Sequence, residues 1–142
     1  MNLKFGILQG RLSNAPNGRL QFYPKDYNSE FKVAKDIGFH YLEMFTERKY
    51  NKKNPIWTNE GISSLKNSCV KKNKLYFYSF VDDYILKNKI DKKLHKYYQN
   101  LILNLKNLKI KILTIPFYGI NRITKNNYKE YLHFINFLCK EC

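Results

Sequence analysis

The chain has 142 residues and a formal net charge of +15, with 44% hydrophobic and 16% aromatic content. That is enough apolar material for one packed domain, and it excludes a disordered or disulfide-stapled chain. No segment approaches the roughly 20 consecutive apolar residues a membrane-crossing helix needs.

The charge invites a nucleic-acid reading, because many cations displace phosphate counterions. Lysine outnumbers arginine 22 to 4, and asparagine, isoleucine and tyrosine are also abundant, a mixture that an A- and T-rich coding sequence produces by itself. The lysines are scattered over the chain, and no contiguous aromatic-basic cluster is evident, so the expectation is a solvated basic surface. Cys69, Cys139 and Cys142 are odd in number and lack CxxC spacing. With no apolar leader after Met1, they suggest reduced thiols and a cytoplasmic protein.

A strand-then-helix pattern recurs four times, with strands expected near 3–8, 40–44, 75–80 and 110–115. After Leu3–Leu8 comes a long connection punctuated by Gly10, Pro16, Gly18 and Pro24. Asn28 or Ser29 is placed to cap the first helix, Phe31, Ala34 and Ile37 mark its apolar stripe, and Gly38 supplies a left-handed stop. The second strand, His40–Met44, leads through Pro55 and Trp57 to Thr58, the expected cap of a helix carrying Ile62, Leu65 and Cys69 on one face.

The third strand, Leu75–Phe80, is aromatic-rich. Asp91 is placed to cap a helix whose stripe is Leu94, Tyr98, Leu101, Ile102, Leu105 and Leu108. Ile110–Ile115 then precedes Pro116. The last helix carries Tyr128, Tyr131, Leu132, Ile135, Leu138 and Cys139 at the same period.

Alternating strands and helices at roughly 35-residue spacing predict an α/β fold with parallel strands and right-handed crossovers. The connection after the first strand lacks GxGxxG and GxxxxGK[ST], which disfavours a dinucleotide-binding sheet. Eight such units make a TIM-type (β/α)8 barrel of roughly 250 residues. The 142 residues therefore read as a single partial domain, a half barrel of four βα units.

Ligands of parallel βα folds bind at the C-terminal strand ends. Gln9 and Arg11 follow the first strand, Glu43 closes the second, and Asp82 with Asp83 follows the third. Glu43 is the best catalytic candidate, with a structural pairing to Arg11 or a lysine as the competing account. Arg11, Arg19, Arg48 and Arg122 all follow strands, where guanidinium forks suit an anionic ligand. Pro55 and Trp57 are expected to cover the second loop, with sugar stacking as an alternative role. His40 belongs to the opposite end of the sheet, whereas His95 and His133 are expected on solvent-facing helix positions, so none is placed as a metal ligand.

The segment Phe5-Gly6-Ile7-Leu8-Gln9-Gly10-Arg11-Leu12-Ser13, with Gly18-Arg19-Leu20-Gln21, resembles the opening of a bacterial sugar phosphate isomerase/epimerase family, one of the xylose isomerase-like TIM barrels. The likeness continues through Glu30-Phe31, Leu42-Glu43, Asn54-Pro55-Ile56-Trp57-Thr58, Asp83-Tyr84 and Ile115-Pro116-Phe117. There it departs, since Tyr118 and Gly119 stand where relatives carry an acid.

The resemblance implies metal-assisted proton transfer beside a sugar carbonyl, with Gln9, Arg11, Glu43, Asp82 and Asp83 lining the substrate pocket. It also implies a divalent metal whose ligands come from later strands outside this chain. The chain alone is then expected to be inactive and to associate with a C-terminal half or a second copy. The alternatives are an endonuclease IV-like, nucleic-acid-binding barrel fragment and an inactive remnant.

Overall fold

The computed structural model describes residues 3–14, 27–71, 79–82, 85 and 89–142. In chain order these form β1 (Gly6–Leu8), α1 (Tyr27–Ile37), β2 (Tyr41–Thr46), a 3-10 turn (Pro55–Trp57), α2 (Asn59–Lys71), β3 (Ser79–Asp82), α3 (Lys92–Asn107), β4 (Ile112–Thr114), a second 3-10 turn (Gly119–Asn121) and α4 (Tyr128–Glu141). The strands pair in parallel in the order β1-β2-β3-β4. The α/β class with parallel strands is thus observed. Sequential order has a consequence: crossovers of one hand between neighbouring strands all fall on one face of the sheet. A doubly wound sheet would reverse its strand order part-way, and no such reversal occurs among the described strands.

Register assigns the two faces. Ile7 lies beside Leu42, Met44 beside Phe80, and Phe80 beside Leu113. Leu42 and Met44 are fully buried and join Phe31 and Ala34 of α1, Ile62 and Leu65 of α2, the α3 stripe, and Phe134 and Leu138 of α4 in one core cluster. Each fully buried Leu, Met or Phe contributes about 1.5–3 kcal/mol. The opposite phase carries Leu8, Tyr41, Glu43, Phe45, Ile112 and Thr114. Ile112 is 45% exposed, and Leu8 and Tyr41 are only half-buried, whereas Phe45 is buried. One face is therefore helix-covered while the other is partly open to solvent.

Several expectations change in detail. β1 begins at Gly6 instead of Leu3: the Phe5 amide donates to His40 Nδ1 at 3.1 Å, and Phe5 is 60% exposed. β2 extends to Thr46, so Glu43 lies mid-strand instead of closing it. Residues 75–78 of the expected third strand lie outside the described residues, and β3 runs to Asp82.

The helix caps fare better. Asp91 Oδ1 accepts from the Leu94 amide at 2.9 Å, and the Thr58 hydroxyl accepts from the Gly61 amide at 3.0 Å. Gly38 adopts φ 99°, the left-handed stop expected of it. α1 starts at Tyr27, however, so Asn28 lies inside it and accepts from the Ser68 hydroxyl of α2. Ile37 is 61% exposed because the last turn of α1 leaves the core.

The α3 stripe is buried as read, with Tyr97 added. In α4 the buried residues are Tyr131, Phe134 and Leu138, whereas Tyr128, Leu132 and Cys139 are exposed. The reason is His95, which is half-buried instead of solvent-facing: its ring lies 5.5 Å from Phe134 and 4.5 Å from Phe137. Those contacts rotate α4 toward its phenylalanines. Gln99 Nε2 and Lys106 Nζ complete the α3–α4 seam by donating to Glu141. His133 is exposed, as expected.

Gly61 marks the tightest approach of α2 to the turn before it. A Cβ there would stand 2.2 Å from the Pro55 carbonyl oxygen and 2.5 Å from its Cα, both backbone atoms that cannot swing aside. Gly61→Ala is expected to destabilise the fold by about 1–3 kcal/mol, the usual cost of overpacking. Urea unfolding measures this, and an unchanged midpoint would mean that the turn is free to shift.

Candidate functional site at the strand ends

The C-terminal end of β1 is built by a buried acid. Glu30, in the first turn of α1, is fully buried, and its carboxylate accepts from the Gly10 amide at 2.9 and 3.1 Å and from the Leu12 amide at 3.2 Å. A buried carboxylate must be compensated, and amide donors do so without a partner cation. Gly10 at φ 83° makes the turn that presents its N–H to Glu30. The same turn leaves the Gln9 amide donating to the Glu43 carbonyl at 2.8 Å, which locks the end of β1 onto β2.

Gln9 itself is fully buried, yet neither its Oε1 nor its Nε2 has a hydrogen-bond partner among the described residues. An unsatisfied buried amide costs about 1–3 kcal/mol. Groups of this kind call for an explanation in terms of function or solvent. Glu43 is half-buried on the open face. Because Ile7 pairs with Leu42 on the covered face, continued alternation carries Gln9 toward that side, and the two candidates meet through the backbone instead of side by side.

Of the remaining candidates, Arg11 is half-buried in the loop after β1. Asp82 ends β3 beside Thr46, one step out of phase with Glu43. Asp83 and Arg19 lie outside the described residues. Arg48 and Arg122 are exposed after β2 and β4, at the same end of the sheet. His40 sits at the other end, its amide donating to the Phe5 carbonyl at 2.7 Å.

The loop after β2 is organised by Asn54, which is fully buried. Its Oδ1 accepts from the Ile56 amide at 3.1 Å, and its Nδ2 donates to the Phe45 carbonyl at 3.2 Å and to Glu47 at 3.3 Å. Pro55 and Ile56 are buried beneath this turn, and Trp57 is half-buried beside Tyr50 and Tyr97.

Sequence reasoning assigned no role to Glu30 and missed the grouping around Trp57. Glu30 had a readable signal, because it occupies the buried side of α1 with Phe31 and Ala34, where an acid is out of place unless bonded. The Trp57 grouping had none, because its members are dispersed from Tyr50 to Asn104.

The divalent metal implied by the family resemblance finds no fit. No three His, Cys, Asp or Glu side chains among the described residues come together to hold one. The Glu30 carboxylate is already committed to backbone amides. Cys69 is free, and burial pushes its thiol up to about 12, which keeps it protonated and a weak nucleophile near neutral pH. No described helix is long and apolar enough to cross a membrane.

Glu30→Gln keeps the size of the side chain but replaces a charged acceptor with a single neutral one. It is expected to lower stability by about 1–3 kcal/mol and to speed amide exchange at Gly10 and Leu12. Exchange rates unchanged by the substitution would show that the loop is held by something else. Neither a scan of protein-family models nor a search of curated proteins finds a match to this chain.

Proposed function

We propose that the four βα units are one half of an eight-stranded barrel of the xylose isomerase-like kind, and that their strand ends bind a sugar or sugar phosphate. The observation that carries the ligand reading is Gln9: a fully buried amide whose polar atoms find no partner among the described residues, at the strand end where parallel folds take ligands. A polyhydroxyl ligand supplies a donor and an acceptor to one amide. Arg11, in the same loop, suits a phosphate group, whereas Glu43, on the opposite face, takes part only where the ligand reaches over the strand end.

These residues bind and orient. In the resembled family the reaction is proton transfer next to the sugar carbonyl, and this chain contributes the substrate-facing part of such a site. The open face of the sheet, with Leu8, Tyr41 and Ile112, is the face that the other half of a barrel would cover. A second copy or a C-terminal half is the partner this reading requires.

Calorimetric titration with a panel of aldose and ketose phosphates tests the proposal. Saturable binding of at least one is expected, and Gln9→Met is expected to weaken it about tenfold, or about 1.4 kcal/mol. The same substitution removes an unsatisfied buried amide, so it should leave the free protein as stable or about 1 kcal/mol more stable. No heat with any sugar phosphate, together with tight and steeply salt-dependent DNA binding, would overturn the reading.

A further inference from the structure

A second site lies away from the strand ends, in the groove between the Pro55–Trp57 turn and α3. It is a cavity of about 410 Å³, within the range of roughly 300–1,000 Å³ typical of small-ligand sites. Trp57 lines it, with the Tyr50 ring 5.2 Å and the Tyr97 ring 4.9 Å from the indole, both tilted against it. The Trp57 Nε1 is buried and has no hydrogen-bond partner among the described residues. Asn104 Nδ2 donates to the Ile56 carbonyl at 2.8 Å, fixing the turn against the helix so that the rings hold their places.

The polar side of the groove comes from one face of α3. Lys93, Lys96 and Asn100 follow each other at helical spacing, and all are exposed. No acidic residue among the described residues lines the cavity. A ligand matched to this set has an aromatic face for the rings, an anionic group for the two ammonium groups and an acceptor for the indole N–H. A nucleotide unit has all three, because bases stack on aromatic side chains whatever their identity and phosphates pair with lysine. A sugar phosphate lacks the aromatic face.

We propose that this groove binds a nucleotide unit, with the base against Trp57 and Tyr50 and the phosphate at Lys93 and Lys96. The net charge of +15 raises the local concentration of any such anion. The site does not depend on the strand-end reading, since it shares no residue with it.

Trp57 is the one tryptophan in the sequence, so its fluorescence reports on this groove alone. Titration with AMP is expected to quench it saturably, and ribose 5-phosphate is not. The double substitution Lys93→Ala/Lys96→Ala should leave the melting temperature unchanged, because both side chains are exposed, and raise the AMP dissociation constant about tenfold or more. Gln9→Met should leave quenching intact, which separates failure here from failure at the strand ends.

A 5′-phosphorylated oligothymidylate then identifies the source of the unit. Tighter binding than AMP with a steep salt dependence assigns a single strand, and equal affinity assigns a free nucleotide; either result upholds the site. Absence of quenching by both AMP and the oligonucleotide, equal quenching by ribose 5-phosphate, or quenching indifferent to the two lysines would overturn the proposal.

Discussion

Everything in this structure depends on the sheet having two unlike faces. The strands run parallel in the order β1-β2-β3-β4, so the connecting helices gather on one side. That side holds Leu42 and Met44 in a single core with residues from all four helices. The other side carries Tyr41, Glu43, Phe45 and Ile112, with no described helix in contact with it through that core. The strand ends acquire chemical interest from the same arrangement, because every crossover returns its loop to one edge and brings Gln9, Glu43 and Asp82 to neighbouring strands.

Glu30 converts that topology into a defined site. Its carboxylate occupies the amides of Gly10 and Leu12, so the chain leaving β1 turns in one way only. Asn54 does the same for the chain leaving β2, by bridging the Phe45 carbonyl and the Ile56 amide. Two buried polar side chains with satisfied bonds therefore shape adjacent loops, while Gln9 between them keeps an amide with no partner among the described residues. The contrast is informative: a fold able to satisfy Glu30 and Asn54 this fully has the means to satisfy a glutamine.

Much of this was legible before any coordinates. Helix stripes with strong period, such as Leu94 to Leu108, could be read directly because burial enforces the 3.6-residue repeat. Asp91, Thr58 and Gly38 could be read because caps and stops are local physics. Strand limits were harder. The early end of the ladder at Gly6 depends on a hydrogen bond to His40, and the faces of Gln9 and Glu43 depend on a register that no single strand encodes. The rotation of α4 depends on His95 meeting Phe134 and Phe137, a tertiary contact between two helices. The Trp57 groove is likewise a product of packing, with one wall on the loop after β2 and the other on α3.

On the half-barrel proposal, the open face takes a partner surface. Apolar residues such as Ile112 on this face, and edges of β1 and β4 that pair with no further described strand, favour association. Sedimentation velocity across a range of protein concentrations tests this most directly. Concentration-dependent association is expected, weakened by Ile112→Asp without unfolding of the chain. A monodisperse, stable monomer at every concentration, with the substitution indifferent, would contradict it.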